Sequence, residues 1–549
     1  MASTTVTIRL VATTDVHGCY FPYNFIERAP MDGSLARTCS YVRELRKQYG
    51  DNLILLENGD LLQGQPTCYY TNYIDTLKTN IAAEVVNYMG YDAYTLGNHD
   101  IEPGHNVYDK WMSEVECPAL GANIIDTSTG EPYVKPYVII EREGVRIAIL
   151  GLLTPAVPNW LNETIWSGMR FDNLESAAAK WMEYIRDNED PDLVVGLLHT
   201  GWKGGIKTPD YCENAVRDIA NNVKGFDIIF FGHDHQLRDT TVCGVLCLNP
   251  ANKARAVADA SVTLTIDNGE VVDKNIEGKI VDICGQDIDM DFIDHFYPRI
   301  NEVKEYVGKK IGVFADSMLT RDCFFGSAPF TDIIHNMQLA LTGADISFNA
   351  PLSFNAKINK GDLFMSDMFK LYRYENKVYV VRMTGTEVRR HLEMSYDLWV
   401  NTMTSADDHI MLIEEGDNGY RFKNMTFNFD SAAGIDYEVD VTRPDGEKVK
   451  ILQMSNGEPF DEDKWYNVVM NSYRGNGGGE LLTRGAGIPK EELPSRIVFQ
   501  SELDQRYYLT REIEKAGTVT PAANNNWKFV PEQWTATAIE RDRKLLFGY

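Results

Sequence analysis

No apolar run in this 549-residue chain reaches the length needed to cross a membrane. Positive charge is also short: 53 Lys and Arg face 80 Asp and Glu, a formal net charge of −27. A surface of that sign repels nucleic-acid polymers, whose binding rests on many phosphate contacts. It leaves room for a small anionic substrate, because a local metal cluster outweighs the distant field. Cysteine forms no framework. The nine cysteines are odd in number and scattered, so a disulfide scaffold is not expected, and Cys243 and Cys247 lack a matching pair for a zinc knuckle. This usage favours a reducing compartment. The first residues run directly into an apolar strand without a secretory pattern. The expectation is a cytoplasmic location, the alternative being an exported or periplasmic protein whose leader has been removed. Internal repeats and low-complexity tracts are lacking too.

What remains is an ordinary globular composition, 44% hydrophobic and 24% charged, in a chain too long for one core. To about residue 275, apolar strands alternate with amphipathic segments such as Ser34–Leu45, Ile81–Val86 and Trp181–Ile185. That alternation predicts a layered α/β domain over 1–284. A hairpin at Glu143-Gly144 makes its sheet mixed. Phe292, Phe296, Ile300, Val303 and Val307 recur at helical spacing and predict a linker helix over 285–310, kinked or started by Pro298. A second, smaller α/β domain is expected over 311–549.

Chemistry concentrates where strands end in the first half. Gly97-Asn98-His99-Asp100 follows the apolar run Tyr91–Leu96. Four other places repeat the pattern: Thr14-Asp15-Val16-His17-Gly18, Asn58-Gly59-Asp60, His199, and Gly232-His233-Asp234-His235, each after an apolar strand. Side chains that leave a sheet at such points face a crevice. Taken singly, each motif reads as a cap, a turn or a satisfied core histidine. Together, Asp15, His17, Asp60, Asn98, His199, His233 and His235 offer carboxylate, amide and imidazole donors suited to borderline divalent metals. No cysteine is among them, which argues against a structural zinc site. Seven donors suit two divalent ions sharing one carboxylate, drawn from Mn, Zn, Co or Fe with Mn favoured. Such a pair can hold a bridging hydroxide and clamp phosphoryl oxygens.

The ordered set Asp-x-His, Gly-Asp, Gly-Asn-His-Asp, His, Gly-His-x-His resembles the metallophosphoesterase superfamily. A second domain after a linker helix resembles the 5′-nucleotidase family within it. The resemblance implies a four-layer α/β-β/α catalytic domain and a smaller substrate-binding domain. It implies that Asp15, His17, Asp60 and His235 hold one metal and that Asp60, Asn98, His199 and His233 hold the other. His99 would stabilise the transition state, oriented by an acid three residues on; relatives usually carry Asp there, and this chain has Glu102.

In the second half, Tyr374 and Asn376 precede the apolar strand Lys377–Met383, and Tyr473 precedes a Gly-rich loop that would let a ligand approach the backbone. By themselves these read as half-buried loop residues. The resemblance implies that the tyrosines clamp a base, with Asn376 beside it. True 5′-nucleotidases usually carry Asn-x-Gly-Gly-Ile-Arg where this chain has Asn349-Ala350-Pro351-Leu352-Ser353-Phe354. That stretch, Asn471-Ser472-Tyr473-Arg474 and Phe427-Asn428-Phe429-Asp430 resemble the 2′,3′-cyclic-nucleotide 2′-phosphodiesterase/3′-nucleotidase branch. The implied activity opens 2′,3′-cyclic nucleotides and removes the 3′-phosphate by attack of a metal-bridging hydroxide. The alternatives are a 5′-nucleotidase or UDP-sugar hydrolase, and, from other classes, a nuclease or a non-catalytic nucleotide-binding protein. The implied partner is a mononucleotide or cyclic nucleotide, with no nucleic-acid polymer, membrane or protein partner.

Overall fold

The structure, a computed structural model, describes residues 3–416 and 419–548. It divides into two compact units, Met1–Val307 and Gly308–Tyr549.

The first unit is built on two six-stranded sheets. In one, Thr4–Thr13, Leu53–Glu57 and Ala93–Thr95 run parallel; Ala256–Asp267 pairs antiparallel with Thr4–Thr13, and Glu270–Asp282 pairs antiparallel with Ala256–Asp267 at the edge. In the other, Val145–Leu153, Leu193–His199 and Ile228–Phe231 run parallel, with Tyr137–Arg142 forming the expected antiparallel hairpin. Ile8, Leu10, Ile54 and Leu56 of the first sheet share a buried core with Ile149, Val195, Leu197 and Phe230 of the second. The outer faces are covered by helices. Leu35–Tyr49, Ile81–Met89 and His105–Glu114 lie on one, Leu174–Glu189 and Val216–Asn222 on the other. This is the four-layer α/β-β/α arrangement. Its strands are near-continuous apolar runs because both faces are buried.

The helix Met290–Gly308 carries Pro298 in its interior, so the proline does not start it. Phe292, Phe296, Ile300, Val303 and Val307 bury into the first unit's core beside Phe21 and Phe25. The segment expected to be a connector is therefore part of that unit's packing. The reason is its apolar stripe, which a free linker would leave in water.

The second unit centres on a five-stranded sheet in the order Ser431–Ala433, Ile346–Asn349, Trp465–Asn471, Lys377–Thr384, Ile497–Asp504. The helix Gly385–Trp399 packs into the larger core on one side, with Val388, Leu392 and Tyr396 buried. Its start is a capping box, in which Thr384 Oγ1 accepts the Glu387 amide and Glu387 accepts the Thr384 amide. All nine cysteines are free thiols. Among the described residues, no helix is long and apolar enough to cross a membrane.

Candidate active site

The parallel strands of each sheet end at a common edge, and the loops that follow carry the motif residues. Their backbones are unusual. Asp15 (φ 50°), His17 (49°), Asp60 (64°), His233 (71°) and His235 (55°) all sit in the left-handed region. A non-glycine residue there is held by its surroundings at a cost of about 1–3 kcal/mol, and such positions cluster at functional sites. Here the surroundings are visible. The Asp15 amide donates to Gly59 O and the His17 amide to Asp60 O, each at 2.9 Å. The fully buried Asp100 carboxylate accepts four amides, those of Asp60 (2.7 Å), Leu61 (2.8 Å), Leu62 (2.9 Å) and Gly97 (2.8 Å).

One donor atom from each of Asp15, His17, Asp60 and His235 lies within 4.8 Å of the others. His17 and His235 bring their Nε2 atoms to 3.1 Å, and His235 Nε2 lies 3.1 Å from Asp15 Oδ1. On the other side of Asp60, His199 Nε2 is 3.3 Å from Asp60 Oδ2 and 3.3 Å from Asn98 Oδ1. His233 stands apart from this close set. Its amide donates to Asp15 Oδ2 at 3.0 Å, while its ring Nε2 faces Glu213 Oε1 at 2.9 Å.

The tautomers follow from the acceptors. A backbone carbonyl only accepts, so His17 Nδ1 donates to Gln63 O (3.0 Å) and His199 Nδ1 donates to Asn58 O (2.6 Å). In neutral rings the Nε2 lone pairs then face carboxylate and amide oxygens that are also acceptors. Asp15 Oδ1 is buried and accepts no hydrogen bond of good geometry, although His235 lies close. Such a set calls for positive charge between its members. Burial alone would push the His199 imidazole down, yet the Asp60 and Asp15 carboxylates raise it to about 10. His17, where burial dominates, falls to about 4. Asp60 is held well below the usual carboxylate range by His199 and His99 despite its burial. Carboxylate, amide and lone-pair imidazole facing one another fit divalent cations, which meet the same demand without protons.

His99 lies beside this set without joining it. Its amide donates to Asp60 Oδ1 at 2.8 Å, and its Nδ1 lies 2.5 Å from Glu102 Oε2. Burial works against its charge, but Asp60 and Glu102 raise the imidazole to about 9. The longer Glu102 side chain reaches its histidine.

In the second unit, Tyr374 and Tyr473 are half-buried and Asn376 is buried. Val378 pairs with Asn471 across antiparallel strands, so the loops carrying Tyr374 and Tyr473 leave the sheet at the same end. The Lys377 amide donates to Ser472 Oγ at 3.1 Å and ties those loops together. The Tyr372 hydroxyl donates to Asn376 Oδ1 at 3.2 Å. The Gly-rich loop has a reason other than the one expected. A Cβ on Gly478 would lie 2.6 Å from the Tyr473 ring, and one on Gly479 would lie 2.4 Å from an Arg474 terminal nitrogen. These glycines make room for the loop's own side chains. Arg474 is buried and pairs with Asp430, Nε to Oδ2 at 2.8 Å and a terminal nitrogen to Oδ1 at 3.1 Å, so it pins the loop from within.

Two sheets whose strand ends collect carboxylates, an amide and imidazoles around Asp60 suit the hydrolysis of phosphoric esters. Comparison with known proteins agrees. Residues 8–237 match the family model described as calcineurin-like phosphoesterase, and residues 309–484 match the 5′-nucleotidase C-terminal domain. The chain thus joins a region of the calcineurin-like phosphoesterase type to one of the 5′-nucleotidase C-terminal type, and it is a hydrolase of phosphoric esters. It is similar to the trifunctional nucleotide phosphoesterase protein YfkN of Bacillus subtilis, 27% identical over 98% of this chain and 40% of that one. It therefore spans less than half of that relative's length. It is also similar to the 2′,3′-cyclic-nucleotide 2′-phosphodiesterase/3′-nucleotidase of Haemophilus influenzae, 27% identical over 96% of this chain and 88% of that one. A Staphylococcus aureus protein described as a 5′-nucleotidase, solved in complex with alpha-ketoglutarate, has a TM-score of 0.79 at 20% identity. It covers 95% of this chain and 99% of its own, a likeness of fold.

Proposed function

We propose that this hydrolase opens 2′,3′-cyclic nucleotides at the 2′ ester and then removes the 3′-phosphate, using two divalent ions. The observation that carries the reading is the donor set around Asp60, with Asp15, His17 and His235 on one side and Asn98 and His199 on the other. Asp15, His17, Asp60 and His235 would hold one ion; Asp60, Asn98, His199 and His233 would hold the other. When bound, the ions supply a nucleophile at neutral pH and positive charge against the phosphoryl oxygens.

The chain's own residues do the rest. Asp100 fixes the loop from which Asp60 projects. Gln63 O and Asn58 O set the His17 and His199 rings so that Nε2 faces inward. His99, held by Glu102, puts a charged imidazole where negative charge develops on the leaving oxygen. In the second unit Tyr374 and Tyr473 would stack on the base and Asn376 would contact its edge. This geometry serves a cyclic and a 3′-phosphoester alike, since the same groups hold the phosphate in both steps. The branch assignment is supported by the Haemophilus influenzae relative, which matches both halves of the chain. The acidic surface, at a net charge of −27, disfavours a nucleic-acid polymer as substrate.

The deciding experiment gives metal-reconstituted protein 2′,3′-cyclic AMP, 3′-AMP, 5′-AMP and a UDP-sugar side by side. Higher kcat/KM on the first two is expected. Preference for 5′-AMP or the UDP-sugar would move the chain to the 5′-nucleotidase branch.

A further inference from the structure

The histidines proposed as ligands are not held alike. His17 and His199 each give Nδ1 to a backbone carbonyl and keep Nε2 for the cluster. His233 is reversed. Its Nε2 faces a carboxylate, Glu213 Oε1, at 2.9 Å, and an ionised carboxylate only accepts, so Nε2 carries the proton and the lone pair is on Nδ1.

Glu213 itself is fixed on several sides. It lies in the strand Cys212–Asn214, which pairs with Gly204–Lys207 in a small irregular hairpin. The hydroxyls of Thr154 and Thr200 donate to its backbone carbonyl at 3.1 and 2.6 Å. Thr154 follows the strand Val145–Leu153, and Thr200 is the residue after His199. The Ile206 amide donates to Glu213 Oε2 at 2.6 Å, which leaves Oε1 directed at His233. The Trp160 ring packs on His233 with centroids 5.7 Å apart.

We infer that Glu213 is a positioning residue for the ion held by His199 and His233: by accepting from Nε2 it locks His233 in the tautomer that presents Nδ1. This rests on the proposed two-metal reading. A carboxylate behind a ligating histidine strengthens the metal bond, and removing such a partner typically costs roughly 10–100-fold in metal affinity. On the Asp15–His17–His235 side a backbone carbonyl holds His17, and among the described residues no side-chain acceptor is seen behind His235. Glu213 therefore makes the two ions unequal, with the His199–His233 ion the tighter of the pair.

The test is calorimetric titration of the metal-free full-length protein with Mn²⁺, for wild type, Glu213→Ala and Glu213→Gln, with thermal melting of the metal-free proteins to check folding. The wild type should bind two ions with distinct affinities. Glu213→Ala should weaken the tighter site roughly 10–100-fold and leave the other unchanged. Glu213→Gln, whose amide oxygen still accepts from Nε2, should recover most of that loss. Equal binding by Glu213→Ala and wild type at both sites would overturn the inference. So would a Gln variant as weak as the Ala variant, because the charge and not the acceptor at Nε2 would then govern the site. A wild type that binds fewer than two ions would instead overturn the two-metal reading, which separates the two failures.

Discussion

The Asp100 carboxylate receives the Asp60 backbone amide at 2.7 Å, so the residue shared by both proposed ion sites is set by an acid that faces away from them. Oδ2 also takes the Gly97 amide, and Oδ1 takes those of Leu61 and Leu62. Asp100→Asn would replace one oxygen by an amino group that faces two donors. Each unpaired buried amide costs about 1–3 kcal/mol, so a loss of about 2–6 kcal/mol is expected. It should appear as a lower melting temperature of the metal-free protein and as weaker Mn²⁺ binding. An unchanged melting temperature would mean that the loop is held by something else.

His99 and Asp60 are linked through the backbone, since the His99 amide reaches Asp60 Oδ1. The side chain can therefore be changed without disturbing that contact. His99→Gln should bind metal like the wild type while kcat falls roughly 100–1,000-fold, the size seen when one donor to developing charge is removed. Glu102→Gln keeps an acceptor for His99 Nδ1 but not the charge, and a smaller fall is expected. Metal content measured beside kcat checks both. Loss of metal with His99→Gln would make His99 a ligand instead.

Much of this site is legible in the sequence for a physical reason. Parallel strands buried on both faces are apolar runs, and they end where polar residues begin, so Asp15, Asp60, Asn98, His199 and His233 are each marked by the run before them. Parallel pairing then delivers those ends to one edge. What pattern does not carry is local geometry. Five left-handed residues are invisible because they are Asp and His rather than Gly. Glu213 lies in a hairpin with an irregular register, outside every motif, and nothing near it in the chain announces His233. The linker helix shows its apolar stripe plainly, yet the stripe alone does not say which unit it covers. The glycines around Tyr473 invite a ligand in the sequence and accommodate neighbouring side chains in the fold.

The second unit should lose stability in mild acid through His335. That imidazole is fully buried between the hydroxyls of Ser347 (2.8 Å) and Ser431 (3.2 Å), and burial pushes it down to about 3. In the unfolded chain it titrates near 6.5. Between those values the unfolded state holds a proton that the folded state does not, so stability rises with pH there. Above about 6.5 the contribution is fully present, and it is lost as pH falls toward 3. At pH 5 the loss is about 2 kcal/mol. His335→Gln removes this dependence. The melting-temperature gap between wild type and variant should therefore shrink from pH 8 to pH 5. A gap independent of pH would show that His335 titrates in the folded protein as it does in the unfolded chain.

Tyr473 offers the sharpest separation of base recognition from phosphate chemistry. A stacked base is worth about 1–3 kcal/mol, so Tyr473→Ala should raise KM for nucleotides roughly 5–150-fold. A simple aryl phosphate has no base to stack, and its KM should barely move. Gly478→Ala tests the same idea from behind the ring. The added methyl would sit 2.6 Å from Tyr473 and must displace it, while Asp430 and Arg474 still anchor the loop. A nucleotide-selective rise in KM from both variants, with kcat on the aryl phosphate preserved, is the expected result. Equal effects on both substrates would assign the loop to folding and remove the tyrosine from base binding.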